Sequence, residues 1–352
     1  LRNIAYIELD THAELASGFM ELMRDSKNFH VDYYFSEKIV MRISKHKNTI
    51  HLTSPESLLK DLENKHYDFV ILGTAHRYFN IFEQLTSLFP TYIIAHNLNF
   101  IKAPTSDIVR SILKKDRIFR LKLLLKEGLL KKNKVYENAK ALLVLNENIL
   151  DYQNNPRLKL LPLFFTEYQN PEPNPLQVAI PGAVKQHRRN YKRIFNKIKS
   201  FQHPFSFYFL GKAEGKELEG LQLLKKQLPK HLFIQYYDEH VSGNEFNQHI
   251  RNASVLWCPI QESTYFFGIK EIYGKTKISG NVGDAIKYAT PIILPKTYSS
   301  YYSFIFKEEK DIESQILSIK DKVYDFENFN KIIVKEQLEL ALLELTFHTT
   351  SN

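Results

Sequence analysis

The feature that most constrains this chain is an alternation of short apolar runs with longer amphipathic segments, met twice. In the first half, Asn3 to Leu9, Val31 to Phe35, Phe69 to Leu72, Tyr92 to Ala95 and Ala141 to Leu145 read as strands. A polar turn at Asp10, Thr11 and His12 leads from the first of them into a helical pattern from Ala13 to Met23, and Pro55 to Glu63 is also helix-compatible. Strands separated by helices predict a parallel sheet covered on both faces.

The pattern resumes after Tyr168. Strands are expected at Gln177 to Ile180, Phe205 to Leu210, Leu232 to Tyr236, Ser254 to Pro259 and Pro291 to Leu294, and helices at Asn190 to Phe201, Leu218 to Leu228, Asn244 to Asn252 and Asn281 to Tyr288. Between the series, Asn170-Pro171-Glu172-Pro173-Asn174-Pro175 sets three prolines in six residues, which a regular helix or sheet does not continue through. With 352 residues, too many for one typical core, the expected division is an α/β domain over 1–170 and a second over 171–320. C-terminal helices over 321–352 follow, expected to pack back on the first domain.

Cys258 is the only cysteine, so an intrachain disulfide and a cysteine zinc cluster are ruled out and a reducing cytoplasm fits. Its apolar neighbours Val255, Leu256 and Trp257 mark a structural thiol rather than a nucleophile. No apolar run approaches the roughly 18 residues needed to span a bilayer, and the N-terminus lacks signal-peptide regions. The chain begins at Leu1 rather than Met, which leaves room for an upstream segment such as an anchor.

The net charge of +9 is concentrated in residues 110–134, where ten lysines and arginines face only Asp116 and Glu127. Interleaved leucines, isoleucines and Phe119 make this a basic amphipathic helix or helix pair, broken near Gly128. Such a face suits an anionic membrane surface, at about 1 kcal/mol per basic side chain near the lipid. A solvated helix face is the plain alternative. Nucleic acid is not expected, because no reading motif is present and stacking aromatics are sparse.

Between Glu271 and Pro291, acid, base, hydroxyl and glycine gather where a phosphate-binding helix is expected to begin. Amides at a helix N-terminus face anions, and Lys275 and Lys277 can neutralise phosphate charge, alongside Ser279, Gly280 and Asn281. The same residues also read as a surface loop capped by Ser279.

Two doubly wound halves with these turns resemble a glycosyltransferase of the GT-B fold, two Rossmann-like domains facing across a cleft. Asp284-Ala285-Ile286-Lys287-Tyr288-Ala289-Thr290-Pro291-Ile292-Ile293 is similar to the E-A-M-A-x-G-x-P-V-V signature of retaining family 4 glycosyltransferases, with Asp284 at the second acid position. Glu271-Ile272-Tyr273-Gly274 looks like the preceding E-x-F-G element, set further from Asp284 than that family spaces its acids, and Ala289 stands where the family has glycine. The resemblance implies a nucleotide sugar as substrate, carrying UDP or GDP, and no separate cofactor. It assigns Glu271 to the donor sugar and Tyr273 and Asp284 to the donor site.

Other donor-side expectations follow from the same resemblance. Gly182 lets backbone approach the diphosphate, and Arg188 or Arg189 supplies charge. Gly211 and Lys212 form a second glycine turn, and Tyr237 stacks on the base. No D-x-D sequence appears, so no metal-clamped diphosphate is indicated.

On the acceptor side, the turns carrying His12 and Glu14, His76, and His96 with Asn97 end strands that an open parallel sheet directs at its ligand. His12 or Glu14 is the candidate general base if transfer inverts configuration, although a turn histidine also serves as a local hydrogen-bonding group. The expected acceptor is a glycan or lipid-linked sugar of the bacterial cell envelope or an exopolysaccharide, handled in the cytoplasm at the inner membrane face. The rivals are a GT-B-fold nucleotide-sugar epimerase and a non-catalytic nucleotide-sugar or membrane-binding module.

Overall fold

The structure, a computed structural model, describes residues 1–43, 50–111, 117–168, 174–320 and 322–347. Most of the proline-rich linker, together with Lys114 and Lys115 of the basic segment, lies outside the described residues.

Strands β1 (Arg2–Glu8), β2 (Phe29–Phe35), β3 (Ile50–Leu52), β4 (Phe69–Leu72), β5 (Thr91–Ile94), β6 (Ala141–Val144) and β7 (Leu158–Leu160) form a parallel sheet in the order β3-β2-β1-β4-β5-β6-β7. Alternation along β1 explains its two-sided burial. Ile4 and Tyr6 enter one core, Ala5 and Ile7 the other, and none of the four is more than 1% exposed.

The second half contributes β8 (Asn174–Pro181), β9 (Ser206–Lys212), β10 (Phe233–Tyr237), β11 (Ala253–Trp257), β12 (Ser263–Phe266), β13 (Ile269–Ile272), β14 (Ile292–Leu294) and β15 (Ile305–Lys307). All but β12 and β13 build a second parallel sheet, β10-β9-β8-β11-β14-β15. In each sheet the order reverses beside its first strand, at β1/β4 and at β8/β11, which is where open sheets leave a crevice for ligands. Cys258 is fully buried just past β11, and burial pushes its thiol pKa up.

The long helix Lys331–Phe347 buries Val334, Leu338, Leu342 and Leu345 in the first domain's core, and the Tyr92 hydroxyl donates to Leu345 O at 2.7 Å. Ile312, Ile316 and Ile319 of the preceding helix Ile312–Lys320 pack into the second domain. The chain thus crosses back to its first half only after residue 320.

Sequence periodicity did not anticipate the three-residue strands β3, β7 and β15, or the antiparallel hairpin β12–β13. The hairpin turns at Phe267 and Gly268, whose φ values of 47° and 79° match a tight primed turn. Its aromatic residues Phe266 and Phe267 pack against Phe100 of the first domain, with ring centroids 5.0 and 5.5 Å away.

The basic segment is also more divided than expected, with helices Thr105–Ser111, Arg117–Leu125 and Lys132–Asn138 and a short turn of 3-10 helix between the last two. Gly128 does mark the break, at φ 73°. One of its cations leaves the surface: Lys132 is fully buried and donates to the carbonyls of Phe100, Ile101 and Ala103 at 2.7–2.9 Å. It caps the C-terminal end of the helix Leu98–Lys102 instead of facing lipid. Among the described residues, no helix is long and apolar enough to cross a membrane.

Candidate functional site

A cavity of about 550 Å³ lies between the domains, where the C-terminal ends of strands from both sheets meet. The first domain supplies His12 and Glu14 after β1, His96 after β5 and Leu145 after β6. The second supplies Arg188 and Arg189 after β8, Ile260 after β11, and the segment Lys277 to Tyr288. Two halves of one sequence pattern thus put their ligand-facing ends into one cleft.

On the first-domain wall, His12 occupies the N-cap of the helix Ala13–Met23 with φ 60° and makes no side-chain capping bond. That left-handed conformation is uncommon outside glycine and leaves the imidazole free to face the cleft. Glu8 holds the turn: it is fully buried at the end of β1 and accepts from the Asp10 and Thr11 amides at 3.1 and 3.2 Å and from the Thr74 hydroxyl at 2.6 Å. Burial pushes its carboxyl up to about 7. Glu8 was not singled out in the sequence, although an acid inside an apolar strand was the available signal.

The rings of His12 and His96 stack with centroids 3.8 Å apart, and His12 Nδ1 lies 3.4 Å from Glu14 Oε1. His96 Nε2 lies 2.7 Å from Gly73 O, a contact that requires the proton on that nitrogen. Burial, followed by the charge of His12, depresses the His96 pKa well below its ordinary value, so it is a neutral imidazole at pH 7.

The opposite wall is built around the helix Gly280–Lys287, whose N-cap Ser279 accepts from the Asn281 amide. The glycine-rich stretch is therefore a capped helix start, and it opens on the cleft rather than on the outer surface. A side chain at Gly280 would meet nothing within 4 Å, so no protein packing requires glycine there. Gly280, Gly283, Asp284 and Lys287 recur at helical spacing along the cleft face. Lys287 could have been read from that spacing, whereas Phe164, Phe165 and Glu167 come from the crossing segment before β8 and carried no local signal. Thr290 N bonds Ala285 O and Ala289 N bonds Ile286 O, a Schellman-type end in which Ala289 takes the glycine conformation at φ 48°.

Cationic groups gather at the start of this helix. Lys277 Nζ donates to Asn97 Oδ1 at 2.8 Å across the domain boundary, and burial lowers its pKa. Arg189 donates to Asn281 Oδ1 at 3.1 Å, while its Nε is buried without a hydrogen-bond partner among the described residues. Gly182, at φ 102°, makes room for that guanidinium, since any Cβ there would collide with Arg189. Asp284 accepts from Asn281 Nδ2 at 3.2 Å, and burial raises its carboxyl to about 6.

Of the sequence-derived candidates, His12, Glu14, His96, Arg188, Tyr273, Lys277, Ser279, Gly280 and Asp284 line this cavity, and Asn97 and Asn281 hold its lining residues. The others stand elsewhere. Glu271 is fully buried in the domain contact, accepting from the Phe100 and Asn99 amides at 2.7 and 3.3 Å and from the Thr276 hydroxyl at 2.6 Å. It caps the helix Leu98–Lys102, and its carboxylate has no face on the cavity.

Lys275 lies over the Tyr152 ring at 5.0 Å, outside the cleft. His76 faces Asp10 at 3.2 Å and packs edge-on beneath Phe266. Gly211 is required by close packing on the Gly182 turn. With Lys212 it lines a separate pocket of about 440 Å³ that shares Phe246 with the cleft. Tyr237 lines neither pocket, and its hydroxyl accepts from Gln235 Nε2 at 2.7 Å.

Two doubly wound parallel sheets facing across a cleft define the GT-B fold. In shape the chain is similar to the Anabaena protein HepE in complex with UDP, at TM-score 0.58 and 10% identity over 98% of this chain and 100% of that one. It is also similar to the lipopolysaccharide outer core galactosyltransferase WaaB (0.57, 11%, 97% and 99%). A third likeness is to the UDP-GlcNAc 2-epimerase from Neisseria meningitidis bound to UDP-GlcNAc (0.54, 9%, 97% and 100%). No protein-family model and no curated protein sequence matches the chain.

Proposed function

We propose that this protein is a glycosyltransferase that takes a sugar from a nucleotide-sugar donor, with UDP or GDP as the nucleotide, and moves it to a glycan or lipid-linked acceptor. One observation carries this reading: a cationic helix start and a stacked histidine pair face each other across one cleft, each supplied by a different domain. The donor diphosphate lies against the Gly280 amide, Lys277 and Arg189, which stabilise charge as the bond from the sugar's anomeric carbon to the diphosphate oxygen breaks. No metal is needed in this scheme. The acceptor hydroxyl oxygen bonds the anomeric carbon, and His12 takes its proton, with Glu14 steadying the imidazolium that forms. This arrangement favours inversion, whereas the family 4 resemblance favours retention.

The fold is shared with a 2-epimerase, so the chemistry has to be tested directly. Thermal shift against UDP, GDP, CMP and dTDP sugars identifies the donor, because a ligand at 100 times its Kd stabilises the native state by about 2.7 kcal/mol. Product analysis with and without an acceptor panel follows. Acceptor-dependent release of the nucleoside diphosphate is expected, and epimerised donor formed without acceptor would replace this reading with the epimerase one. Donor binding with no turnover across the panel would leave a non-catalytic module.

A place at the cytoplasmic face of a membrane, in envelope or exopolysaccharide synthesis, is part of the same proposal. Supporting it, the helix Arg117–Leu125 buries Leu123 but turns Ile118, Leu121 and Leu125 outward, with Ile118 89% and Leu125 71% exposed beside Lys122 and Lys126.

A further inference from the structure

A second cavity of about 480 Å³ lies beside the cleft and lacks the basic side chains found there. It opens past the ends of β6 and β7 in the first domain and of β14 in the second, continuing the line of strand ends along which the cleft is built. The two cavities share Leu145, Leu163 and Phe164 as their common wall. The cleft is lined by Arg188, Arg189, Lys277 and Lys287 together with Glu14, Glu167 and Asp284. The second cavity has no lysine, arginine or histidine in its lining, and its charged groups are Glu147 and Asp325.

Its remaining lining pairs aromatic faces with amides. Tyr301 projects into solvent, 76% exposed, beside Tyr302, whose ring is held by stacking on Phe304 at 5.4 Å. Asn328 and Gln337 line the same space, and among the described residues the side chains of Glu147, Asn328 and Gln337 have no hydrogen-bond partner. Asp325 Oδ1 accepts from the Glu327 amide at 2.7 Å, and its other oxygen and the Glu147 carboxylate can accept hydroxyl protons, while amides both donate and accept. Exposed aromatic rings offer flat apolar contact to the C–H faces of a sugar. A phosphate, sulfate or uronate is repelled by the two carboxylates, and a wholly apolar ligand leaves the polar groups unpaired. The volume is in the range of small-ligand sites.

We propose that this second cavity is a binding site for a neutral oligosaccharide, separate from the nucleotide-sugar cleft. Its position beside the cleft suits a glycan that reaches from one cavity toward the other. The proposal does not require the transferase reading to hold, because binding here is measurable without donor or turnover.

The test is titration calorimetry of the full chain with neutral hexasaccharides of glucose, galactose and N-acetylglucosamine and with uronate-containing hexasaccharides of matching length. Each is measured with and without saturating UDP. At least one neutral hexasaccharide is expected to bind, with an affinity that UDP leaves unchanged, and uronate counterparts are expected to bind about tenfold or more weakly. Tyr301→Ala and Asp325→Asn alter exposed side chains and are expected to keep the wild-type melting temperature while each weakens binding about tenfold. If no neutral hexasaccharide binds, if UDP displaces it, or if both variants bind like wild type, the proposal is wrong. Failure of the transferase reading shows instead in the donor screen, where no nucleotide sugar would shift the melting temperature.

Discussion

The imidazoles of His12 and His96 lie nearly parallel, 17° between planes and 3.8 Å between centroids, although they end different strands and are far apart in the chain. His96 is fixed by Gly73 O, so it acts as a rigid floor under a histidine whose own backbone is held in an uncommon conformation. His12, whose Nδ1 faces Glu14 Oε1 at 3.4 Å, is the member of the pair to which the proposed mechanism gives proton transfer.

Replacing His12 by Ala is therefore expected to lower kcat about 100- to 10,000-fold, the usual range for a general base, with donor affinity unchanged. Steady-state turnover together with a UDP titration checks this. Full activity in the variant would remove His12 from the chemistry.

Stability and pH should be coupled in opposite senses at two buried groups. Below its ordinary value of 6.5, His96 takes up a proton in the unfolded chain before it does so in the folded one, so its contribution falls as pH drops. The Glu8 carboxyl, raised from 4.5 to about 7, keeps a proton that the unfolded chain has released, so its contribution is lost as pH rises through that window, by about 3 kcal/mol in all. His96→Gln should gain on wild type toward acid and Glu8→Gln toward neutral and above. Parallel melting-temperature profiles for all three proteins would contradict both assignments.

In the proposed mechanism Lys277 and Arg189 meet the diphosphate oxygens. Lys277→Met and Arg189→Met should each weaken UDP binding by about 1.5–3 kcal/mol, the range for a charged hydrogen bond, and the losses should shrink for uridine, which lacks the phosphates. Equal losses for UDP and uridine would point to general damage to the cleft.

Glu271 belongs to the domain contact. Glu271→Ala leaves the Asn99 and Phe100 amides without their acceptor and should lower the unfolding free energy by about 2–4 kcal/mol. UDP affinity measured well below the variant's melting temperature should stay within a few-fold of wild type. A selective collapse of nucleotide-sugar binding without loss of stability would return Glu271 to the donor site.

For the membrane face, Ile118→Glu with Leu125→Glu should abolish sedimentation with vesicles rich in anionic lipid, and neutralising Lys122 and Lys126 should weaken it in a salt-dependent way. Neutral vesicles should bind neither form. Lys132 is unsuitable for this test because its three buried carbonyl contacts make its loss a stability change.

Local pattern carried much of the architecture. The central strands, the helices Ala13–Met23 and Gly280–Lys287 and the Ser279 cap are legible because side-chain periodicity and capping chemistry act within a few residues. The three-residue strands β3, β7 and β15 are too short to show a period, and the β12–β13 hairpin packs its aromatic rings on Phe100 of the other domain, a contact no local pattern reports.

What the sequence by itself determined was the kind of unit being built: two series of strand and helix, each ending its strands in polar turns. Which turns meet was decided only by the tertiary structure, through the strand order of each sheet and the packing of the two domains. The fold of the first domain stacked His12 on His96 and drew Lys132 into a buried capping role, and the packing of the two domains set Lys277 against Asn97 and made Glu271 a buried cap. The physical reason is range. Periodicity is an interaction among near neighbours, whereas burial, desolvation and partner choice at these residues depend on contacts with distant parts of the chain.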